Sequence, residues 1–161
     1  MTRRASHRIS HRTLPVGDID VHVAQAGQGP PVVMLHGCPE LWYSWRHQMA
    51  ALAGSGYRTI APDLRGYGAT SRPAEIKAYG RARMVADVTG LLDSLGVGSA
   101  TLVRHDWSAQ IAWACAQLHS ERVDALAILG VPTTHVHRHR QHGTCGNWPA
   151  TASTGCCASN G

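Results

Sequence analysis

Leu102-Val103-Arg104-His105-Asp106-Trp107-Ser108-Ala109-Gln110-Ile111-Ala112-Trp113 is the stretch whose reading decides the fold. A short apolar run leads into a polar turn, and a helical pattern burying Ile111, Cys115 and Leu118 follows. Strand, turn and helix with Asp106 at the apex form the layout of a nucleophile elbow. The apex residue of such a turn sits in a strained backbone conformation, and its close flanking positions must be small for strand and helix to approach. Ser108 and Ala109 meet that requirement, whereas Arg104 does not, and Arg104 is therefore expected to distort the turn or displace the helix.

Working outward, residues 13–26 alternate around Leu14, Val16, Ile19, Val21 and Val23 with Gly17-Asp18 as a turn signal, which predicts a hairpin at a sheet edge. The unbroken apolar run 32–35 fits a strand buried on both faces. His36-Gly37-Cys38-Pro39 ends it, and residues 44–52 carry Trp45, Met49 and Leu52 at helical spacing. Residues 57–61 form the next strand, stopped by Pro62. Met84, Val85, Val88, Leu91, Leu92 and Leu95 make an apolar helical stripe ending at Gly96. A strand over 100–103, the elbow and a further buried strand over 123–129 follow. Strands alternating with helices predict an α/β fold: a doubly wound, mostly parallel sheet with an N-terminal hairpin.

The 161 residues suffice for one domain with a real core, since chains of this size bury roughly 70% of their extended surface. Residues 1–12 hold four arginines and no acid, and read as a flexible basic arm. It has no apolar run to make it a secretory signal or membrane span, and Arg3-Arg4 resembles a twin-arginine start only superficially. The net charge of +5 comes largely from the ends; without an aromatic-rich recognition module it implies solvated termini, with neither a nucleic-acid nor a membrane partner. Five cysteines at irregular spacing fit reduced thiols in a cytoplasmic compartment. At Pro132 the texture changes: residues 133–161 contain no Leu, Ile or Met and no periodic pattern, which predicts a disordered tail. Its His135, His137, His139, His142, Cys145, Cys156 and Cys157 match no closed tetrahedral metal site.

Three blocks carry a family resemblance: His36-Gly37-Cys38-Pro39-Glu40-Leu41-Trp42-Tyr43-Ser44-Trp45-Arg46-His47-Gln48, then Ala61-Pro62-Asp63-Leu64-Arg65-Gly66-Tyr67-Gly68, then His105-Asp106-Trp107. Together, over residues 13–132, they resemble the epoxide hydrolase family of the α/β hydrolases. The resemblance implies a truncated α/β-hydrolase fold without the lid and last strands, leaving residues 123–129 as an exposed edge open to self-association. It implies Asp106 as the nucleophile, opening an apolar epoxide to a diol through an aspartyl ester. An aspartate suits that role because it is ionised at neutral pH and needs no base to attack. Charge developing on the ester oxygen needs preorganised donors, by resemblance the backbone N–H groups of Cys38 and Trp107. Pro39 is implied to be cis, and His36, Gly37, Pro39 and Trp107 to line the substrate pocket. No cofactor and no metal are implied, because the chemistry uses only water.

The family's base histidine, orienting acid and lid tyrosines find no match in this sequence, so little turnover is expected of the 161 residues. A tail histidine would reach Asp106 only if something oriented it. Asp63, Arg65 and His105 are expected to be structural, His47 a packed or surface residue, and Glu40 and Tyr43 to sit near the mouth. The alternatives are a dehalogenase with the same aspartyl nucleophile and a non-catalytic fragment or interaction module.

Overall fold

A computed structural model describes residues 8–130. Six strands, β1 (Ser10–Val16), β2 (Ile19–Ala26), β3 (Pro31–Leu35), β4 (Arg58–Pro62), β5 (Ala100–His105) and β6 (Val123–Leu129), form one sheet in the order β1-β2-β4-β3-β5-β6. β1 pairs antiparallel with β2 and β2 with β4, while β4, β3, β5 and β6 run parallel. The helices are α1 (Arg46–Gly54), α2 (Arg81–Ser94) and α3 (Ala109–Leu118).

The apolar patterns explain this arrangement. Gly17, at φ +57°, begins the two-residue turn that brings Val16 opposite Ile19 in the predicted hairpin. Along β3, alternate residues enter two cores: Val33 and Leu35 join the cluster under α2 and α3, and Val32 and Met34 join the cluster under α1. That is why the run lacks polar alternation. α2 buries Met84, Val85, Val88, Leu91 and Leu92, the helical stripe of the sequence. α1 packs Met49 and Ala53 on the opposite face of the sheet, so the sheet is doubly wound.

Three expectations need correction. β1 starts at Ser10, so residues 10–12, read as part of the basic arm, pair with Gln25, Ala24 and Val23. The strand over 123–129, whose apolar pattern reads as buried, is partly or fully exposed at every residue and is the outer strand among the described residues, the edge that the resemblance implies. β5 does not end at Val103: it runs in register through Arg104, which lies opposite Leu35 and Ile128. The predicted disordered tail, its histidines and cysteines, and residues 1–7 of the arm lie outside the described residues.

The topology also locates a site. The connection leaving β3 passes to β4 on one side, and the connection leaving β5 passes to β6 on the other. The carboxyl ends of these adjacent strands thus flank a switch point, where open α/β sheets bind ligands.

Candidate active site

Asp106 occupies the switch point at the end of β5, with φ +56°, and is the one residue other than glycine with positive φ among the described residues. Holding an L-residue there costs free energy, of order 1 kcal/mol or more, which the surrounding structure must supply. Ser108 contributes: buried completely, its hydroxyl lies 2.8 Å from the His105 carbonyl and 3.2 Å from the Leu35 carbonyl, tying the elbow to β3. Ala109 is small and buried, as the elbow requires.

The turn after β3 closes on Asp106 from the other side. A Cβ on Gly37 would stand 2.8 Å from the Asp106 Cβ and 3.3 Å from its Oδ2, so only glycine permits the approach. Gly37 accepts from the Glu40 N–H at 3.1 Å and donates its own N–H to Glu40 Oε2 at 3.3 Å. The Cys38-Pro39 peptide is cis. The Cys38 N–H points at Asp106 Oδ2 from 3.5 Å, at the long limit of a hydrogen bond. Trp107 follows Asp106 in a 3₁₀ turn (Asp106–Ser108) and keeps 36% of its surface exposed. Cys38 and Pro39 are exposed beside it, so the structure gathers Asp106, Gly37, Cys38, Pro39 and Trp107 at one sheet edge.

His36 departs from its predicted place. It is fully buried and lines no open pocket. Its Nε2 accepts from the Leu64 N–H at 3.0 Å, which leaves Nδ1 to donate to the Gly37 carbonyl at 2.7 Å. Burial holds its pKa below the ordinary 6.5, so the ring is a neutral bridge between two loops.

Asp63 and Arg65 are structural, as expected. Asp63 accepts from the Trp42 N–H at 3.0 Å, the Ala69 N–H at 3.2 Å and His22 Nδ1 at 2.8 Å. Arg65, 2% exposed, donates to Asp87 at 2.6 and 2.8 Å and to Asp18 at 2.7 and 3.3 Å. Its hydrogen bonds to Asp87 and then Asp18 raise its pKa.

Arg104 does not break the elbow. Its side chain is fully buried, and Nη1 donates to the Asp106 carbonyl at 3.1 Å, directly beneath the apex. Burial lowers its pKa.

His105 stands 3.3 Å from Glu40 Oε2 on the rim. Sequence reasoning placed Glu40 only at the mouth and missed that it clamps Gly37 and His105. The signal was available in its spacing three residues after Gly37, which closes a reciprocal turn. Tyr43 and His47 are exposed. The Tyr67 hydroxyl has its pKa raised, first by its hydrogen bond with the Cys38 side chain. Cys115 is buried and its thiol pushed up to about 11, which removes it as a nucleophile. Among the described residues, no three His, Cys, Asp or Glu side chains converge to hold a metal, and no helix is long and apolar enough to cross a membrane.

A family model described as alpha/beta hydrolase fold matches residues 30–152. The chain belongs to the α/β-hydrolase fold family. Within it, this α/β hydrolase is 49% identical over 124 residues to epoxide hydrolase 2 of Siraitia grosvenorii, covering 77% of this chain and 39% of the relative. It is 50% identical over 125 residues to epoxide hydrolase A of Mycobacterium tuberculosis, covering 76% and 39%. The crystal structure of an epoxide hydrolase from Vigna radiata superposes with a TM-score of 0.77 at 51% identity, covering 78% of this chain and 41% of that one. The chain thus spans about two fifths of the length of these relatives.

Proposed function

We propose that this α/β hydrolase carries the nucleophile half of an epoxide hydrolase site. A carboxylate oxygen of Asp106 attacks one carbon of an apolar epoxide; the ring C–O bond breaks, the freed oxygen takes a proton from solvent, and a hydroxyalkyl ester remains on Asp106. Water adding to that ester carbonyl develops an oxyanion, which the backbone N–H groups of Cys38 and Trp107 stabilise, before collapse releases a diol and restores the carboxylate. The observation that carries the reading is the apex itself: a carboxylate held at φ +56° with the Cys38 N–H aimed at its oxygen. The names of the relatives supply the substrate class.

Among the described residues no hydrogen bond joins a histidine to Asp106, so ester formation is the step that the described site supports by itself. The test is incubation with styrene oxide followed by intact and peptide mass spectrometry. One adduct on Asp106, cleaved by hydroxylamine as an ester and lost in Asp106→Asn, is expected. The exposed Cys38 thiol also reacts with epoxides, but its thioether survives hydroxylamine, so lability separates the two. An unmodified Asp106 in folded protein would remove the proposal.

A further inference from the structure

We infer that His36 is a positioning residue for the oxyanion donor: its Nδ1–H, held on the Gly37 carbonyl, sets the orientation of the Gly37–Cys38 peptide whose N–H faces Asp106. The inference rests on the functional reading above and deepens it.

One planar unit links the two groups, because a peptide's C=O and N–H are fixed at opposite ends of a rigid plane. Its carbonyl, Gly37 O, takes two donors: His36 Nδ1 at 2.7 Å and the Glu40 N–H at 3.1 Å. Its N–H, on Cys38, lies 3.5 Å from Asp106 Oδ2. Gly37 lacks the side chain that would lock its own backbone angles, so the plane depends on such outside contacts. A donor on the carbonyl also polarises the peptide and strengthens the N–H at its far end.

His36 can serve only if its ring is itself immobile and in one tautomer, and the β4 loop secures both. The Leu64 N–H donates to Nε2 at 3.0 Å, which assigns the proton to Nδ1. Leu64 lies between two pinned residues, Asp63 with its three donors and Arg65 with its two carboxylates. The Tyr67 ring packs edge-on against the imidazole at 5.2 Å. Orientation therefore passes from the β4 loop through one imidazole to one catalytic N–H.

Two substitutions on the 161-residue chain separate this role from simple packing. His36→Asn keeps a donor near the Nδ1 position and loses the acceptor for Leu64; His36→Gln reaches the Nε2 position and loses the donor to Gly37. A packing role predicts that stability and reactivity fall in the same order. Positioning predicts a crossed order. His36→Asn has the lower urea midpoint, yet its styrene-oxide ester is cleaved by hydroxylamine within about threefold of wild type. His36→Gln is more stable but cleaves about tenfold more slowly, a fraction of the 10²–10³ loss that follows deletion of a whole oxyanion donor. Equal cleavage rates in wild type and His36→Gln would overturn the inference.

Should no ester form on the wild type, the functional reading fails and nitrogen-15 NMR decides the positioning alone. Expected are a His36 ring protonated on Nδ1 and a Cys38 amide resonance that moves in His36→Gln but stays in His36→Asn. A Cys38 resonance unchanged in both would overturn it.

Discussion

Arg65, in the loop after β4, and Arg104, in β5, are two arginines withdrawn almost completely from water, at 2% and 0% exposure. Arg65 faces the Asp87 and Asp18 carboxylates through four hydrogen bonds, and its charged form is favoured: its pKa moves up. Arg104 lies in β5 two residues before the apex, donates Nη1 to the Asp106 carbonyl, and has its pKa moved down by burial. The charged form of one arginine is thus favoured by the carboxylates it meets, while that of the other is disfavoured by burial. The β4 loop, bolted by Arg65, is the firm side of the site; the elbow holds its arginine inside the sheet.

The largest test of this contrast removes the bolt. Arg65→Met leaves Asp87 facing an apolar side chain while the half-exposed Asp18 turns to water, so the loss falls somewhat below the about 3–5 kcal/mol of a fully buried ionic pair. Urea unfolding followed by tryptophan fluorescence reads it directly. A loss near zero would mean that the cluster is solvated in solution and that the two arginines do not differ in kind.

A smaller loss is expected at the elbow. Arg104→Gly removes the Nη1 donor to the Asp106 carbonyl and places glycine in a strand, which alone costs about 0.5–1 kcal/mol. The net expectation is a loss of about 1–2 kcal/mol, read as a lower urea midpoint with unchanged slope. A gain would show that burying Arg104 strains the sheet.

Much of this architecture was legible in the sequence because its signals are local. The stripe from Met84 to Leu92 and the run 32–35 declare a helix and a doubly buried strand through their spacing alone. Asp106 was legible because the residues after it, Ser108 and Ala109, are small. What was not legible depends on neighbours remote in the chain. Leu126, Ile128 and Leu129 look like a buried strand by pattern alone; that they lie on the outer strand followed only from the family resemblance, because burial needs a partner that a pattern does not name. Arg104 reads as a steric fault, whereas the fold buries its full length and gives Nη1 the Asp106 carbonyl. His36, in a motif beside the nucleophile, reads as pocket lining until Leu64 claims one nitrogen and Gly37 the other.

That last bridge makes the firm side of the site sensitive to acid, which gives the smallest and most specific test of the comparison. His36 folds neutral because burial disfavours its charged form and Leu64 needs its unprotonated Nε2, while in the unfolded chain it titrates near 6.5. Above that value both states are neutral, and the bridge contributes in full. As the pH falls below it, the unfolded chain binds a proton that the folded chain refuses, so stability declines until the buried ring itself protonates. The sign is opposite to that of a histidine gaining a carboxylate partner. Urea midpoints of wild type measured between pH 8 and pH 5 are expected to fall more steeply than those of His36→Gln, which has nothing to titrate there. His11, His22 and His105 remain in both proteins, so the difference between the two curves isolates His36. Parallel curves would mean that the ring is charged or solvated, and a protonated Nε2 has no lone pair for Leu64; the tautomer on which the orientation of the Cys38 N–H depends would then be lost as well.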